Sequence, residues 1–384
     1  MGLTLLSLSG LALLLAYAVI VQRCLSTWNA MAEWEVPEGY QSHTFVTVLV
    51  PARNEASRIG PLLDSLSRQS YPHNQFEVIV IDDYSSDGTA SRVEAYPLPN
   101  LRLLCLEEYL APGEAVLSYK KKALEVGVQQ ARGTLLLTTD ADCEAPPHWV
   151  ATHVAFHEAT GAWLTAAPVL FHRRQGLLQH FQSLDLIGMM AVTGAGIHSR
   201  FMYMANGANL AFTKAVFNAV GGYAGNEQHA SGDDVFLIQK VAARAPEKVA
   251  FLKSREATVQ TLPLYGLKRF VNQRLRWGTK NKSYQDWRIA VVLGLVFLLC
   301  WFTLAALLAF PLFGIYGLGL ALFLFLGKGL VDYIFLSAAT SFFERPWLLR
   351  RFWLMEGLHV VYMAFIGLLS LIVKRYEWKG RQVR

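Results

Sequence analysis

The chain of 384 residues has only four cysteines, and none of them stands in a C-x-x-C spacing. Cys24, Cys105, Cys143 and Cys300 are scattered along the sequence. This scattering indicates neither a disulfide framework nor a cysteine-ligated zinc site. The cysteine pattern therefore fits a protein that works in a reducing compartment.

Charged side chains are also scarce, at 17% of the residues, whereas hydrophobic residues make up 53%. The mean hydropathy is +0.29. This composition predicts one soluble domain together with several membrane spans. The net charge is +6. Because the basic residues cluster near the hydrophobic segments, as the positive-inside rule expects, we predict no nucleic-acid partner.

The first hydrophobic segment, residues 3–21, lacks any preceding Lys or Arg, whereas Arg23 follows it. Secretory signals usually begin with basic residues, so we predict an uncleaved anchor over residues 1–22. Its N-terminus would lie outside and Arg23 in the cytosol, and the soluble domain would be cytosolic. The alternative is a secreted domain that is released by cleavage near Ala32.

Three further hydrophobic segments are predicted to form a C-terminal transmembrane region over residues 289–373, and they lie at residues 289–310, 312–336 and 352–373. A basic tail, residues 374–384, follows. Four spans would put this tail opposite the soluble domain, against the positive-inside rule. Either one segment is re-entrant or interfacial, or the rule is broken here.

Four acidic or basic residues interrupt these C-terminal segments. Lys328 and Asp332 are four residues apart, so we predict that they pair on one helix face. Glu356 and His359 are predicted to face the interior of the bundle, either as structural contacts or as part of an acceptor path.

Residues 44–288 have the composition of a globular domain in which strands and helices alternate. Strands are predicted at residues 45–50, 76–81, 101–106 and 133–139, and helices at residues 56–67 and 120–131. This alternation predicts an α/β fold with a doubly wound, mostly parallel, Rossmann-like sheet. Ligands bind beyond the carboxyl ends of such strands, and polar residues follow Val50, Ile81 and Thr139. We therefore expect one shared site. A later helix over residues 177–190 either lies on the membrane surface or faces the core.

Asp140 and Asp142 flank Ala141 at the end of the fourth predicted strand. Side chains two residues apart on an extended chain point the same way, so the pair is predicted to bind Mg²⁺ or Mn²⁺. Such a metal can bridge a diphosphate and stabilise its charge. The alternative is an acidic pair in an ordinary turn.

Donor-side residues are predicted in the same layer. Asp82 and Asp83 end the second strand and can accept hydrogen bonds from a base or ribose, or else cap a turn. Arg53 and Glu55 follow the first strand and could flank the nucleotide, or they mark a solvated helix start. Lys122 could reach a phosphate, or it is one of three exposed lysines at residues 120–122.

Two further motifs follow. Asp233 and Asp234 precede a predicted helix. Acidic residues there are stabilised by the helix dipole, or one of them can act as a general base. In the Gln273–Trp277 element, Arg276 can hold a diphosphate and Trp277 can stack on a sugar ring. The alternative is a basic-aromatic anchor at the membrane interface, a role we assign to Arg269, Arg274 and Lys280.

These motifs together resemble the membrane-bound family 2 glycosyltransferases over residues 44–282. The stretch 48–55, which includes Pro51, Ala52, Arg53 and Glu55, looks like the first nucleotide-binding strand and loop of the family. Residues 80–89 resemble its Asp-Asp-Gly-Ser-x-Asp-Gly-Thr loop, with Tyr84 in place of the usual Gly. Residues 122–124 are similar to its Lys-x-x-Ala-Leu region, and residues 140–142 match its metal motif.

The remaining matches lie on the acceptor side. Gly207 and Asn209 look like the acceptor-side Gly-x-Asn segment of the family. Asp233 and Asp234 stand where the family has Glu-Asp, which makes Asp234 the base that the resemblance implies. Gln273 to Trp277 match Gln-x-x-Arg-Trp, an element that is found in ceramide glucosyltransferase-like enzymes and in processive polysaccharide synthases.

The resemblance implies a GT-A fold and an inverting displacement. In this displacement, Asp234 deprotonates an acceptor hydroxyl and a nucleoside diphosphate is the leaving group. Lys122, Arg276 and the metal on Asp142 and Asp140 hold that diphosphate. The expected donor is a nucleotide-diphosphate sugar, a UDP-sugar by preference, and the expected acceptor a lipid or membrane-associated glycan, with Gln273 and Trp277 on the acceptor side. The expected location is a bacterial inner membrane. A processive polysaccharide synthase, and a catalytically inactive scaffold or transporter, are the alternatives.

Overall fold

The computed structural model describes residues 2–111, 116–225, 232–278, 286–372, 376–378 and 381–383. The chain forms two compact units. The helical unit comprises Met1–Met31, Arg173–Ala195 and Pro263–Tyr376, and the sheet unit comprises Ala32–His172, Gly196–Leu262 and Glu377–Arg384. The predicted domains are consecutive stretches of the chain, and their boundaries stay predictions.

The sheet unit contains a seven-stranded sheet with the order β3-β2-β1-β4-β8-β6-β9. Its strands are β1 (Val46–Ala52), β2 (Phe76–Asp82), β3 (Leu101–Cys105), β4 (Leu135–Thr138), β6 (Leu164–Ala166), β8 (Leu210–Thr213) and β9 (Val249–Phe251). The first four of these strands are parallel, whereas β8 is antiparallel to both β4 and β6. The predicted α/β fold with a mostly parallel sheet is confirmed.

A second, three-stranded sheet has the order β5-β10-β7, formed by β5 (Cys143–Glu144), β10 (Val259–Thr261) and β7 (Val169–Phe171). The helices of the sheet unit are α2 (Ile59–Ser67), α3 (Thr89–Glu94), α4 (Tyr119–Gln130), α5 (Trp149–Thr160), α7 (Lys214–Ala219) and α8 (Asp233–Arg244). Short 3₁₀ helices lie at Leu106–Tyr109 and Pro246–Lys248.

Hydrophobic burial explains why the central strands form. All seven residues of β2 are buried, as are all residues of β1 except Pro51, as expected for parallel strands that are covered on both faces. Gly133 lies where the chain approaches β1 closely. A Cβ atom there would be 2.5 Å from the backbone nitrogen of Thr47. Only glycine allows this approach, which brings β4 into register beside β1.

The helical unit contains α1 (Gly2–Ala30), most of α6 (Leu177–His198), α9 (Leu267–Gly278), α10 (Trp287–Leu308), α11 (Phe310–Phe313), α12 (Ile315–Phe342) and α13 (Phe352–Ile372). A 3₁₀ helix at Pro346–Arg351 precedes α13. Four segments are helical, long and apolar enough to cross a membrane: Thr4–Ala30, Trp287–Leu308, Ile315–Phe342 and Pro346–Ile372. The four predicted hydrophobic segments therefore form helices suited to spanning a bilayer.

Helix α6 is buried on more than one of its faces. Phe181, Leu184, Ile187 and Met190 are buried, and so is Gln182 on another face. This burial is that of a core-facing helix, which was one of the two interpretations left open by the sequence.

The predicted Lys328–Asp332 pair is confirmed, and it belongs to a larger cluster. The Lys328 amine donates to Asp332 at 2.7 Å and to Glu356 at 2.6 Å, and it lies 3.2 Å from Nδ1 of His359. Tyr17 of α1 donates a hydrogen bond to Asp332. The cluster therefore joins α1, α12 and α13. Of the basic tail, only the short strands β11 (Tyr376–Trp378) and β12 (Arg381–Val383) are described.

Candidate active site at the carboxyl end of the sheet

The predicted donor-side residues of the first two strands lie together because β1 and β2 are parallel and adjacent. Ala52 pairs with Asp82 in the strand register, and Pro51 pairs with Ile81. The backbone N–H of Asp83 donates to the carbonyl of Ala52 at 2.8 Å. The two strands thus carry their polar ends to one edge.

Arg53 fastens the two strand ends. Its guanidinium donates to the carbonyl of Asp83 at 2.7 Å and lies 3.6 Å from the Asp83 carboxylate. Asp83 is buried, so this charge is held inside the protein and in one geometry.

The loops beyond these strands are joined by hydrogen bonds. The backbone N–H of Glu55 donates to the hydroxyl of Thr89 at 2.9 Å, and that of Ala56 donates to Asp87 at 3.0 Å. Burial raises the pKa of Asp87, but hydrogen bonds from Thr89 and Ala56 outweigh this effect and hold that pKa below its ordinary value. Glu55 itself is buried. The result is a cross-linked pair of loops at the carboxyl edge of the sheet.

Tyr84 has a left-handed backbone conformation, with φ at 51°. A non-glycine residue is strained there. The family pattern has Gly at this position, which such a conformation favours. The departure at Tyr84 therefore keeps the backbone conformation that glycine would adopt and adds a ring, which packs edge-on against Tyr119 with centroids 5.8 Å apart.

Asp82 carries a buried oxygen that the described residues do not satisfy. Its Oδ2 atom accepts a hydrogen bond from the backbone N–H of Ser85 at 3.0 Å. Its Oδ1 atom is buried and has no hydrogen-bond partner in the described part of the chain. Because a buried acceptor without a donor is costly, a ligand N–H or O–H would be stabilised there.

Asp140 and Asp142 lie in a turn, and the extended conformation expected for them is wrong. Strand β4 ends at Thr138, and the backbone N–H of Cys143 donates to the carbonyl of Asp140 at 3.1 Å, which closes the turn. Both carboxylates are partly exposed, at 38% and 31% of their side-chain area. The Arg58 guanidinium lies 4.0 Å from Asp142. Partly exposed carboxylate oxygens suit a hard divalent cation, so the residues fit Mg²⁺ or Mn²⁺.

Lys120 connects the two acidic pairs and is a site residue that the sequence motifs did not identify. Its amine lies 2.8 Å from Oδ1 of Asp140 and 3.7 Å from Oδ2 of Asp233. Burial lowers the pKa of Lys120, but the charges of Asp140 and Asp233 outweigh burial and raise that pKa above its ordinary value. Lys120 therefore stays protonated between two carboxylates that are 93 residues apart in the sequence.

The neighbouring lysines differ from Lys120. Lys121 is buried, with its amine 4.9 Å from the centre of the Phe236 ring, so the expectation of three exposed lysines is wrong for it. Lys122 is half-buried on the same helix. Its predicted phosphate contact stays a prediction.

Asp233 and Asp234 form the first turn of α8, as predicted. Gly232 precedes them with φ at 90°, a conformation that favours glycine. Asp234 accepts hydrogen bonds from two backbone N–H groups, that of Val235 at 2.8 Å and that of Gly207 at 2.9 Å. Asp233 is buried, whereas Asp234 is partly exposed. Asp234 is thus the member of the pair that solvent reaches.

Gly207 lies against this acidic pair. A Cβ atom at Gly207 would be 3.2 Å from Oδ2 of Asp233, tighter than most such contacts. Its carbonyl accepts a hydrogen bond from the hydroxyl of Thr138, the last residue of β4, at 2.8 Å. Gly207 therefore joins the acidic turn of α8 to the end of the central sheet.

Asn209 lies in the core of the sheet unit. Its amide oxygen accepts from Trp149 at 2.9 Å and contacts His153 at 3.0 Å. Its amide nitrogen donates to the carbonyls of Pro168 and Ala257, each at 2.7 Å. The side chain is fully buried and its hydrogen-bonding capacity is used within the protein. This geometry gives Asn209 the role of holding the segment that carries Gly207.

Gln273, Arg276 and Trp277 lie on α9, in the helical unit. Gln273, Arg276 and Trp277 are partly buried, and Arg269 is exposed. The interfacial role expected for Arg274 is wrong, because Arg274 is 1% exposed and its guanidinium lies 2.8 Å from Asp185. Burial raises the pKa of Asp185, although the Arg274 charge opposes this rise. Lys280 lies outside the described residues.

Two family models match the chain. The model described as Glycosyl transferase family 2 matches residues 47–218. The model described as Glycosyl transferase family group 2 matches residues 135–371, which include most of the predicted C-terminal transmembrane region.

Curated proteins with similar sequences match shorter stretches. The chain is 33% identical over 129 residues to the glycosyltransferase AglE of Haloferax volcanii, a match over 33% of this chain and 40% of that protein. It is 37% identical over 109 residues to the dolichyl-phosphate beta-glucosyltransferase ALG5C of Trichomonas vaginalis, over 26% and 30% of the two chains. It is 26% identical over 161 residues to an undecaprenyl-phosphate 4-deoxy-4-formamido-L-arabinose transferase of Shewanella sediminis, over 41% and 45%. The chain thus spans less than half the length of each of these relatives.

One solved structure resembles nearly the whole chain. It is the mannosyltransferase PcManGT from Pyrobaculum calidifontis in complex with GDP-Man and Mn²⁺. The TM-score is 0.52 with 19% sequence identity, over 95% of this chain and 99% of that chain. At this identity the similarity shows a shared fold.

Proposed function

Because this chain belongs to the glycosyl transferase family group 2, we propose that it is a membrane-bound, inverting glycosyltransferase. It transfers a sugar from a nucleotide-diphosphate sugar, by preference a UDP-sugar, to a hydroxyl group of a lipid or a membrane-associated glycan. The observation that carries this proposal is Lys120, whose amine lies between Asp140 of the metal motif and Asp233 of the acidic helix start. This contact supports the proposal that the donor and the acceptor react at one edge of the sheet.

The nucleotide is held by the two cross-linked loops after β1 and β2. The buried, unsatisfied Oδ1 atom of Asp82 accepts a hydrogen bond from the base or the ribose. Arg53 and Asp83 keep the loop edges together, and Pro51, Ala52 and Glu55 shape the wall beside the nucleotide. Rigid backbone at this edge orients the donor before the reaction.

Asp140 and Asp142 would hold a divalent cation, which supplies charge stabilisation to the departing diphosphate when it is bound. Lys120 adds a permanent positive charge beside Asp140. Lys122 and Arg276 are the further cations that we assign to the diphosphate. An ammonium or guanidinium near a leaving phosphate stabilises the negative charge that develops on it.

Asp234 acts as the general base in this proposal. It is the partly exposed member of the acidic pair, and backbone N–H groups of Val235 and Gly207 fix the orientation of its carboxylate. A fixed carboxylate can take the proton of an acceptor hydroxyl as that oxygen attacks the anomeric carbon. A single displacement of this kind inverts the anomeric configuration. Asp233, which is buried, holds Lys120 in place.

A second acceptor chemistry is favoured by the names of two relatives, which specify dolichyl-phosphate and undecaprenyl-phosphate as acceptors. A lipid phosphate is already largely ionised near neutral pH and needs little help from a base. The two acceptor chemistries therefore differ in how much they depend on Asp234.

The test is transfer from a panel of radiolabelled UDP- and GDP-sugars by the full chain in nanodiscs. The acceptor probes are an alkyl glycoside, which offers hydroxyls, and a polyprenyl phosphate. With a hydroxyl acceptor, Asp234→Asn should lower kcat by about a hundredfold or more while the donor affinity stays unchanged. With a phosphate acceptor, the same substitution should change kcat by less than about tenfold.

A matched control is Asp64→Asn, which alters an exposed carboxylate of α2 outside the site. Retention of full activity by Asp234→Asn with the alkyl glycoside would show that Asp234 is not the base. A ladder of long products would favour the processive synthase, and the absence of transfer or donor binding would favour a scaffold or transporter.

A further inference from the structure

Arg274, which lies within the Gln273–Trp277 element, is buried among aromatic rings and beside an acidic side chain. Its guanidinium lies 4.4 Å from the centre of the Trp277 ring and 5.1 Å from that of Phe270. It lies 5.8 Å from the ring of Tyr362 on α13. Asp185 on α6 provides its counter-charge at 2.8 Å.

The aromatic rings around Arg274 also pack on one another. Phe181 of α6 contacts Phe270 and Tyr362 with ring centroids 5.9 Å and 5.4 Å apart. Phe270 and Tyr362 are 5.7 Å apart. Three helices of the helical unit, α6, α9 and α13, therefore meet at one guanidinium.

A buried ion pair of this kind contributes little net stability to the fold. Removing two charges from water is costly, and apolar residues of similar volume often stabilise a fold as well or better. A planar cation is, however, well suited to fixing an aromatic ring, because a guanidinium stacks on the ring face at a defined distance. The Asp185 carboxylate holds the guanidinium from the side of α6.

We propose that Arg274 is a positioning residue that, together with Asp185, fixes the Trp277 ring in the orientation needed to bind the acceptor. Arg274 touches no substrate itself and acts through Trp277. This inference rests on the proposed function and on the acceptor contact that the Gln-x-x-Arg-Trp resemblance implies for Trp277.

The decisive variant is the double substitution Arg274→Met with Asp185→Leu, in the full chain in nanodiscs. It replaces the ion pair by apolar side chains of similar size, so the fold should be kept. With an alkyl glycoside and a polyprenyl phosphate as acceptor probes, the acceptor KM should rise about tenfold while the donor KM stays unchanged. Wild-type values of both constants would overturn the inference.

A readout without activity uses the near-ultraviolet circular dichroism band of Trp277, obtained as the difference between the wild type and Trp277→Phe. Positioning by Arg274 predicts that this band collapses in the double variant, and an unchanged band would contradict it. If the double variant fails to fold, the KM values and the Trp277 band are measured on Arg274→Lys instead, since lysine keeps the charge but loses planar stacking. The matched control is Arg269→Lys, an exposed arginine on the same helix, which should leave the band and both constants unchanged.

The single variant Trp277→Ala separates this inference from the proposed function. If it leaves the acceptor KM unchanged, the acceptor contact proposed for Trp277 is wrong. If it raises the acceptor KM and the double variant does not, only the role of Arg274 is wrong. Positioning also predicts that adding Trp277→Ala to the double variant raises the acceptor KM no further.

Discussion

Lys120 shows how single residues connect distant motifs at the residue scale. It lies at the start of α4, and its amine reaches a carboxylate after β4 and another at the start of α8. Without a cation at that point, the partly exposed Asp140 and the buried Asp233 would be two like charges without a counter-charge between them. Lys120 therefore stabilises the arrangement of the site as well as adding charge to it.

We expect Lys120→Met to lower kcat/KM for the donor by roughly thirtyfold, because a charged hydrogen bond contributes about 2 kcal/mol. Steady-state transfer with varied donor concentration measures this effect. Lys122→Met is the comparison on the same helix. A larger loss for Lys122→Met than for Lys120→Met would show that Lys122 is the main diphosphate contact.

The sequence predicted the acidic residues of the site but not their partners. In the Lys-x-x-Ala-Leu pattern the lysine stands three residues before Ala123, which is Lys120, so a stricter alignment could have found it. The turn at Asp140 was missed because the apolar run before it does not show where hydrogen bonding to β1 stops. The complete hydrogen bonding of Asn209 depends on Trp149 and His153, about 60 residues away, and no local pattern reveals it.

The buried His153 is expected to make the free energy of unfolding depend on pH. Burial lowers its pKa to about 4, although the hydrogen bond to Asn209 opposes that shift. In the unfolded chain the pKa would be about 6.5, so the unfolded state binds more protons between those values. The contribution of His153 to the free energy of unfolding is then fully present above about pH 6.5. It falls by up to roughly 3 kcal/mol as the pH drops towards 4.

Thermal unfolding of the full chain in detergent at pH 7 and pH 5 measures this dependence. His153→Gln should reduce the difference between the two pH values, because glutamine does not titrate and can still donate to Asn209. His148→Gln is the control, since His148 is exposed and should leave the difference unchanged. An unchanged difference in His153→Gln would refute the assignment.

The parallel strands explain why the sequence could predict the sheet and the edge on which the candidate site lies. Uniformly buried strands such as β2 are recognised as apolar runs, and their carboxyl ends then coincide at one edge. The antiparallel insertion of β8 and the short β6 and β9 strands are less visible, because three or four residues carry too little periodicity.

The charged cluster of α1, α12 and α13 holds these three helices together. Asp332, Glu356 and His359 lie close enough to hold a metal ion, but the Lys328 amine already contacts all three. Lysine therefore acts as the internal cation. In an apolar bundle such contacts specify which helix faces meet.

Lys328→Met should lower the thermal midpoint in detergent by several degrees, because it leaves two carboxylates buried without their counter-charge, at a cost of about 3–5 kcal/mol. Adding Asp332→Leu and Glu356→Gln to it should recover most of that loss. Lys268→Met, at an exposed lysine of α9, should have no effect. A midpoint unchanged by Lys328→Met would show that the cluster does not stabilise the bundle.

At the scale of the whole molecule, the four candidate spans make a prediction about sidedness. With the N-terminus outside, the soluble region after α1 lies in the cytosol, and so does the loop between α12 and α13. That loop carries Arg345, Arg350 and Arg351, whereas the connection between α10 and α12 carries no charge. Both features agree with the positive-inside rule, and the basic tail is the one feature that opposes it.

Labelling with a membrane-impermeant maleimide in intact bacterial cells tests this arrangement. Ser91→Cys, at an exposed position of α3, and Arg350→Cys should react only after permeabilisation. Leu312→Cys, at a position that is 81% exposed between α10 and α12, should react in intact cells. The background is measured on the Cys105→Ser chain, into which the other substitutions are introduced, because Cys105 is partly exposed whereas Cys24, Cys143 and Cys300 are buried. Reaction of Ser91→Cys in intact cells would place the proposed catalytic residues outside the cytosol, where nucleotide sugars are absent, and would overturn the proposed location. A cysteine added after Arg384 tests on which side the basic tail lies. Labelling in intact cells means that all four helices span the membrane and that the tail breaks the positive-inside rule. Protection from labelling means that one helix does not cross.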